Sequence, residues 1–167
     1  TLADSADLLV VAPATANFIG KVASGIADDL LTTVLMAVRS PVMICPAMNV
    51  NMYSNPVVQE NIEKLRKRGF IIVDPAEGDL ACGYEGKGRL PEPDDIIEEI
   101  EKVFAPKDLR KEKILVTAGA TREFIDYVRF LSNPSSGKMG YALAREGWMR
   151  GADVILVSGK AEVSPPR

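Results

Sequence analysis

Short aliphatic runs separated by helix-patterned segments dominate this chain, and they leave few folds open. Leu8 to Val11, Val42 to Cys45, Phe70 to Val73, Ile114 to Thr117 and Asp153 to Val157 are Val/Ile/Leu-rich runs of four or five residues. Most are continuously apolar rather than alternating, the pattern of strands buried on both faces. Between them, Ala16 to Gly25, Leu30 to Arg39, Pro56 to Arg68, Pro93 to Phe104 and Lys138 to Arg150 read as helices. Gly25 and Gly69 are stop signals, Asp28 and Asp29 are capping residues, and Pro56 suits a first turn. Strands alternating with helices predict an α/β fold with doubly wound parallel sheets.

The expected organisation is a first α/β unit over residues 1–104, a charged linker at 105–113 bearing Pro106, and the start of a second, Rossmann-like unit over 114–167. The first unit enters its first strand almost at once. The second holds only two strands, too few for an independent domain of that kind. The expectation is therefore a fragment: one domain without its start joined to one without its end. Two segments carry further expectations. The helix from Leu30 is apolar on nearly every side, so both faces should be covered, one of them by another subunit. Glu77 to Arg89 is glycine-rich and too polar to pack, and reads as a mobile loop or flap.

With 47% hydrophobic and 26% charged residues among 167, a sizeable core can form. A net charge of -3 leaves no basic surplus for a nucleic-acid partner. Phosphorylated small molecules stay open, because backbone amides at a helix start bind anions without net charge. Cys45 and Cys82 show no CxxC spacing and no signal-like segment leads the chain, which together suggest a reducing, cytoplasmic setting. No apolar run is long enough for a bilayer. The chain has no histidine, which removes any imidazole base and argues against a His/Cys metal site.

Ligands of open parallel sheets bind beyond the carboxyl ends of the strands. Three loops of the first unit leave such ends. In Ala12-Pro13-Ala14-Thr15-Ala16-Asn17, small residues admit a flat ring while Thr15 and Asn17 offer hydrogen bonds. The plainer reading is a strand-to-helix connection with Thr15 or Asn17 as N-cap. Pro46-Ala47-Met48-Asn49-Val50-Asn51-Met52-Tyr53 is stiffened by Pro46 and Pro56, and suits presentation of the Asn49 amide to a carboxylate. Its methionines either line a flavin or thioether pocket or, as is commoner for Met, fill core. The third loop, Gly78 to Arg89, has hinge glycines around Cys82, whose thiol is either delivered by a closing flap or incidental. Cys45 ends an apolar strand and reads as a small buried hydrophobe.

In the second unit, Thr117-Ala118-Gly119-Ala120-Thr121 is a strand flowing into a glycine turn. Asn133-Pro134-Ser135-Ser136-Gly137-Lys138-Met139-Gly140 then opens a helix. Hydroxyls, backbone N–H groups and a lysine at a helix start make an anion cradle, unless Ser135 or Ser136 is simply the N-cap. The spacing matches neither GxGxxG nor GxxxxGK[ST].

Taken in order, these segments resemble the bifunctional phosphopantothenoylcysteine decarboxylase/phosphopantothenate–cysteine ligase family over essentially the whole chain. Ala12 to Asn17 is similar to the PASANT motif of the homo-oligomeric flavin-containing cysteine decarboxylases, with Thr15 for Ser and Phe18 for the final Thr. Pro46 to Tyr53 is similar to their PxMNxxMW motif, with Tyr53 for Trp, and Gly78 to Pro93 to their substrate-recognition clamp. Thr117 to Gly140 resembles the opening of the ligase half.

The resemblance implies a flavodoxin-like first domain that holds FMN through Ala14, Thr15, Asn17, Pro46, Ala47 and Met48. It implies oxidation of a cysteinyl thiol to a thioaldehyde with FMN as acceptor, loss of CO2, and return of the hydride with a proton from Cys82. Asn49 would hold the departing carboxylate, with Met52, Ala81 and Gly83 completing the substrate site. In the ligase half, CTP with Mg2+ would activate 4′-phosphopantothenate as an acyl-cytidylate for attack by cysteine. Asn133 would steady that intermediate, and Gly119, Thr121, Ser135, Ser136, Gly137, Lys138 and Met139 would bind the nucleotide. The family's active-site histidine and FMN phosphate loop fall upstream of Thr1, and its ligase lysine beyond Arg167. Homo-oligomers are implied, trimer-based for the decarboxylase and dimeric for the ligase. The alternatives are a single-function flavin decarboxylase, which should lack the second unit, and a non-catalytic flavin-binding subunit, against which Asn49 and Cys82 both argue.

Overall fold

The computed structural model describes residues 2–79 and 85–161. The chain forms two compact units, Thr1–Glu99 and Ile100–Arg167. The first contains α1 (Leu2–Ser5), β1 (Leu9–Ala14), α2 (Ala16–Ser24), α3 (Leu30–Ala37), β2 (Val42–Pro46), α4 (Val50–Tyr53), α5 (Pro56–Lys67), β3 (Ile71–Ile72), β4 (Ala76–Asp79) and β5 (Glu85–Arg89). Helix α6 (Pro93–Phe104) follows, and the division falls within it.

Strands β1, β2 and β3 make a parallel sheet in that order, with Val10 opposite Met43 and Ile44 opposite Ile72. The central strand β2 is buried at all five positions, as a strand covered on both faces must be. Ile19 and Val22 of α2 and Ile62 and Leu65 of α5 close over it, each at most 1% exposed. Burying one such side chain stabilises the fold by about 1.5–3 kcal/mol.

Local chemistry sets the helix ends. Thr15 Oγ1 accepts from the Phe18 N–H at 3.2 Å and starts α2. Gly25 stops α2 at φ +74°, where only glycine sits without a Cβ penalty. Asp29 and Thr32 form a reciprocal capping box on α3, and the Thr32 N–H holds the Asp29 carboxyl below its ordinary pKa. Asn55 caps α5 ahead of Pro56.

The second unit contains β6 (Lys113–Ala118), β7 (Arg122–Phe124), β8 (Phe130–Ser132), α7 (Lys138–Met149) and β9 (Asp153–Ser158). β6 and β9 pair in parallel from Lys113/Asp153 to Ala118/Ser158. α7 lies on them through two glycines: a Cβ on Gly140 would fall 2.6 Å from Ala118 Cβ, and one on Gly147 3.2 Å from Ile114 and Val154. Residues 105–112 turn against the end of α7. Lys107 donates to the Met149 carbonyl at 2.7 Å, and Arg150 forms a forked pair with Asp108.

Several sequence expectations change. β1 does not end at Val11 but runs to Ala14, through a cis Ala12–Pro13 bond and an irregularity in its register with β2. Val50 to Tyr53 is a helical turn rather than loop, begun by Asn49 as its N-cap. The glycine-rich stretch is not too polar to pack. Residues 76–79 and 85–89 pair as an antiparallel hairpin. In helix α3, Thr32 and Leu35 are buried while Leu30 is 74% exposed, so one face packs within the described residues and the face expected to meet another subunit points outward. Neither Ser135 nor Ser136 caps α7; its N-cap is Gly137 at φ +80°, without a side-chain cap bond. The hairpin β7–β8 has no counterpart in the apolar pattern, because its residues are exposed on both faces.

Candidate functional sites

In the first unit the parallel pairing brings two predicted loops together. Ala14 stands opposite Pro46 at the carboxyl ends of β1 and β2, and the Ala47 N–H donates to the Ala14 carbonyl at 3.0 Å. Ala14 is fully buried, whereas Thr15 and Asn17 are exposed immediately beyond it. The Thr15 hydroxyl oxygen is the α2 cap, so the N-cap reading of this residue holds.

The hairpin joins the same edge. The Met48 N–H donates to the Gly88 carbonyl at 2.9 Å, and a Cβ at Gly88 would collide with the Met48 carbonyl oxygen. A Cβ at Gly86 would come within 2.8 Å of Val50 Cγ2. These glycines therefore let the hairpin backbone lie directly on the segment that carries Asn49. Ala81, Cys82 and Gly83 lie outside the described residues.

Asn49 Oδ1 accepts from the Asn51 N–H at 2.8 Å. This bond sets which end of the amide is the acceptor and which carries the two N–H donors. The α4 turn is anchored by Tyr53, whose hydroxyl donates to Asp74 at 3.4 Å while Arg66 pairs with the same oxygen at 2.5 Å. The Gln59 amide donates to the Tyr53 carbonyl. Burial, with the Asp74 charge adding to it, raises the Tyr53 phenol above its ordinary pKa. Met48 is half-buried against the core and Met52 is 49% exposed. Cys45 is fully buried, and burial, followed by the Glu99 charge, pushes its thiol up to about 11, which keeps it protonated and inert.

In the second unit a cavity of about 230 Å³ opens beyond the carboxyl ends of β6 and β9. Asn133 and Ser135 line it, together with Arg122, Phe130, Ser132 and Lys160, which the sequence reading did not single out. Asn133 Oδ1 accepts from the Ser135 N–H at 3.0 Å, its Nδ2 reaches Thr121 Oγ1 at 3.5 Å, and Ser132 donates to the Thr121 carbonyl at 2.8 Å. Gly119 turns at φ +89°, where a Cβ would stand 2.8 Å from the Lys160 carbonyl. Ser136, Gly137, Lys138 and Met139 sit at the start of α7 and are not among the residues lining this cavity. Among the described residues no cluster of three or more His, Cys, Asp or Glu side chains could hold a metal ion, and no helix is long and apolar enough to cross a membrane.

In each unit a parallel sheet carries glycine- and Asn-bearing loops past its strand ends, which places the chain in the α/β class of doubly wound folds. The chain belongs to the Flavoprotein family, whose model matches residues 1–105, and residues 109–167 match the DNA/pantothenate metabolism flavoprotein C-terminal domain. It is 55% identical over 168 residues to the coenzyme A biosynthesis bifunctional protein CoaBC of Bacillus subtilis (strain 168), covering 99% of this chain and 41% of that protein. The CoaBC of Vibrio cholerae is 49% identical over 165 residues, with the same coverage. The chain thus spans about 41% of the length of these curated relatives. Among solved structures, a PPC decarboxylase mutant complexed with pantothenoylaminoethenethiol is similar at 36% identity and a TM-score of 0.58, over 59% of this chain and 56% of that one. The FMN binding protein AtHal3 is similar at 38% identity and a TM-score of 0.53, over 59% and 54%.

Proposed function

We propose that the intact protein of which this sequence is part decarboxylates 4′-phosphopantothenoylcysteine to 4′-phosphopantetheine with FMN, and joins 4′-phosphopantothenate to cysteine with CTP and Mg2+. The observation that carries this reading is the convergence of Ala14–Asn17, Pro46–Asn49 and Gly88 on one edge of the parallel sheet. The matching of both units to flavoprotein and pantothenate-metabolism models, in that order, supports it.

The residues at the first edge fit FMN. Ala14 and Ala47 keep the strand ends low, while Thr15 and Asn17 place an exposed hydroxyl and amide beside them, a donor set suited to a flat polar ring. FMN would supply the electron acceptor and donor for the thiol carbon chemistry; the chain's own residues bind, orient and move protons. The Asn49 amide would hold the substrate carboxylate through its N–H donors, with its carbonyl oxygen kept turned away by the Asn51 N–H. Met52 would flank the substrate. Cys82 would donate the final proton, a task suited to a thiol near its ordinary pKa of about 8.5, with Ala81 and Gly83 beside it. In the second unit Asn133, Gly119, Thr121 and Ser135 to Met139 would meet the nucleotide and the acyl intermediate. The two activities would divide between the two units, in a cytoplasmic homo-oligomer assembled through the outward face of α3.

Cys82→Ser in the intact protein tests the reading. CO2 should still be released while the product stalls at the unreduced enethiol, because a hydroxyl is a much weaker acid. Reduced 4′-phosphopantetheine formed at the wild-type rate would remove Cys82 from the mechanism.

A further inference from the structure

The cavity of the second unit is lined by two cations, Arg122 and Lys160, that no described carboxylate pairs with. Arg122 enters from β7 with its guanidinium carbon 4.4 Å from the centroid of the Phe130 ring, a stacked arrangement that holds the fork in place. The other face of this small cluster is the Phe124–Phe130 pair, centroids 5.8 Å apart. Lys160 is fixed through its backbone: it forms an antiparallel bridge with Ala120, whose N–H donates to the Lys160 carbonyl at 3.4 Å. Both residues line the cavity, Arg122 from β7 and Lys160 from the turn after β9.

Among the described residues no carboxylate lines the cavity, and neither Arg122 nor Lys160 has an ion-pair partner. Exposed cations are ordinarily just solvated. Here two of them line one concavity with Ser135 and Asn133, so their positive charges add there and favour an anionic group. At about 230 Å³ the cavity is smaller than the roughly 300–1,000 Å³ of whole-ligand pockets, so it suits one charged end of a ligand.

We infer that Arg122 and Lys160 form a phosphate-binding subsite next to Asn133, taking a phosphate group of a substrate of the second unit. The inference rests on the ligase reading for the ligand's identity but not for its chemistry. Two sources share that chemistry, the nucleotide triphosphate and the 4′-phosphate of the acid. Arg122 supplies a planar, bidentate donor set and Lys160 a mobile point charge.

Isothermal titration of the intact protein with inorganic tripolyphosphate, 4′-phosphopantothenate and unphosphorylated pantothenate is the test, on wild type, Arg122→Met, Lys160→Met and Arg122→Lys. Each Met variant should weaken whichever phosphate-bearing probe occupies the subsite by about tenfold or more and leave pantothenate unchanged. Arg122→Lys should recover part of the loss, and affinity should depend less on salt in the Met variants. Tripolyphosphate as the affected probe assigns the nucleotide end; 4′-phosphopantothenate assigns the acid. Wild-type protein that binds neither phosphate probe, or Met variants that bind both with unchanged affinity, would overturn the subsite. Loss of CTP-dependent ligation in wild type, with Arg122-dependent tripolyphosphate binding intact, would instead sink the ligase reading alone.

Discussion

The two parallel sheets look alike in sequence and differ in how they are covered. Strand β2 has Met43, Ile44 and Cys45 fully buried, with helices above and the sheet continuing on both sides. In β6 and β9, among the described residues, α7 covers one face: Val116 is buried, while Leu115, Ile155 and Val157 on the other face are 66%, 56% and 54% exposed. An aliphatic run therefore says that a strand forms. Whether both of its faces are buried depends on what else packs there. The sites differ in the same way. The Asn49 segment is clamped by backbone bonds to β1 and to the hairpin, whereas the Asn133 side chain is held by one bond from the Ser135 N–H in its own turn and one long bond to Thr121.

The largest expected effect tests whether the two sites are separate. Asn49→Asp in the intact protein sets a carboxylate against the substrate's and removes the N–H donors, so CO2 release should fall by about 10²–10³-fold or more. Flavin absorbance and CTP-dependent ligation should persist. Asn133→Ala should do the reverse. Parallel assays of both activities on both variants check this, and loss of both activities in either one would break the comparison.

Core substitutions come next. Ile44→Ala in the doubly covered strand should cost about 2–5 kcal/mol, against less than about 1 kcal/mol for Leu115→Ala on the open face. Urea unfolding of the two variants is the measurement. Equal costs would mean that Leu115 is covered in the assembled protein.

A smaller effect comes from Cys45. Its thiol pKa is raised by burial to about 11, so the folded state holds the proton more tightly than the unfolded chain. That stabilisation is complete below the unfolded thiol value of about 8.5 and disappears as pH rises through about 11. Cys45→Ala should flatten the alkaline decline in stability over that window. Native Cys45 should also resist alkylation at neutral pH until the protein is unfolded.

The helix starts give the smallest contrast. Thr15→Ala removes the α2 cap and should cost about 1 kcal/mol. Ser135→Ala, near an α7 start that has no side-chain cap, should cost no more than a few tenths, since among the described residues its hydroxyl's only bond is a 3.4 Å contact from the Gly137 N–H. Thermal melts of the two variants would rank them.

Much of the first unit was legible residue by residue. The sequence narrows the caps to Asp28 or Asp29 and to Thr15 or Asn17, of which Asp29 and Thr15 serve. The strand runs, the Gly25 stop, the Pro56 start and the buried Cys45 follow from local propensities and from burial of contiguous apolar side chains. So does the parallel α/β class, because unbroken aliphatic strands alternating with helices have few other ways to bury both faces. The three site loops could be proposed from the strand ends they leave. What local chemistry could not decide was contact between segments distant in the chain. Gly88 reads as a flexible position, yet its role is to let the hairpin backbone approach Met48, a property of two segments forty residues apart. Arg122 and Lys160 read as ordinary surface charges until β7 and the turn after β9 bring them to one cavity. The outward face of α3 and the open face of the β6–β9 sheet were equally undecided, since apolarity is written in the sequence but coverage depends on which surfaces the folded chain sets against each other.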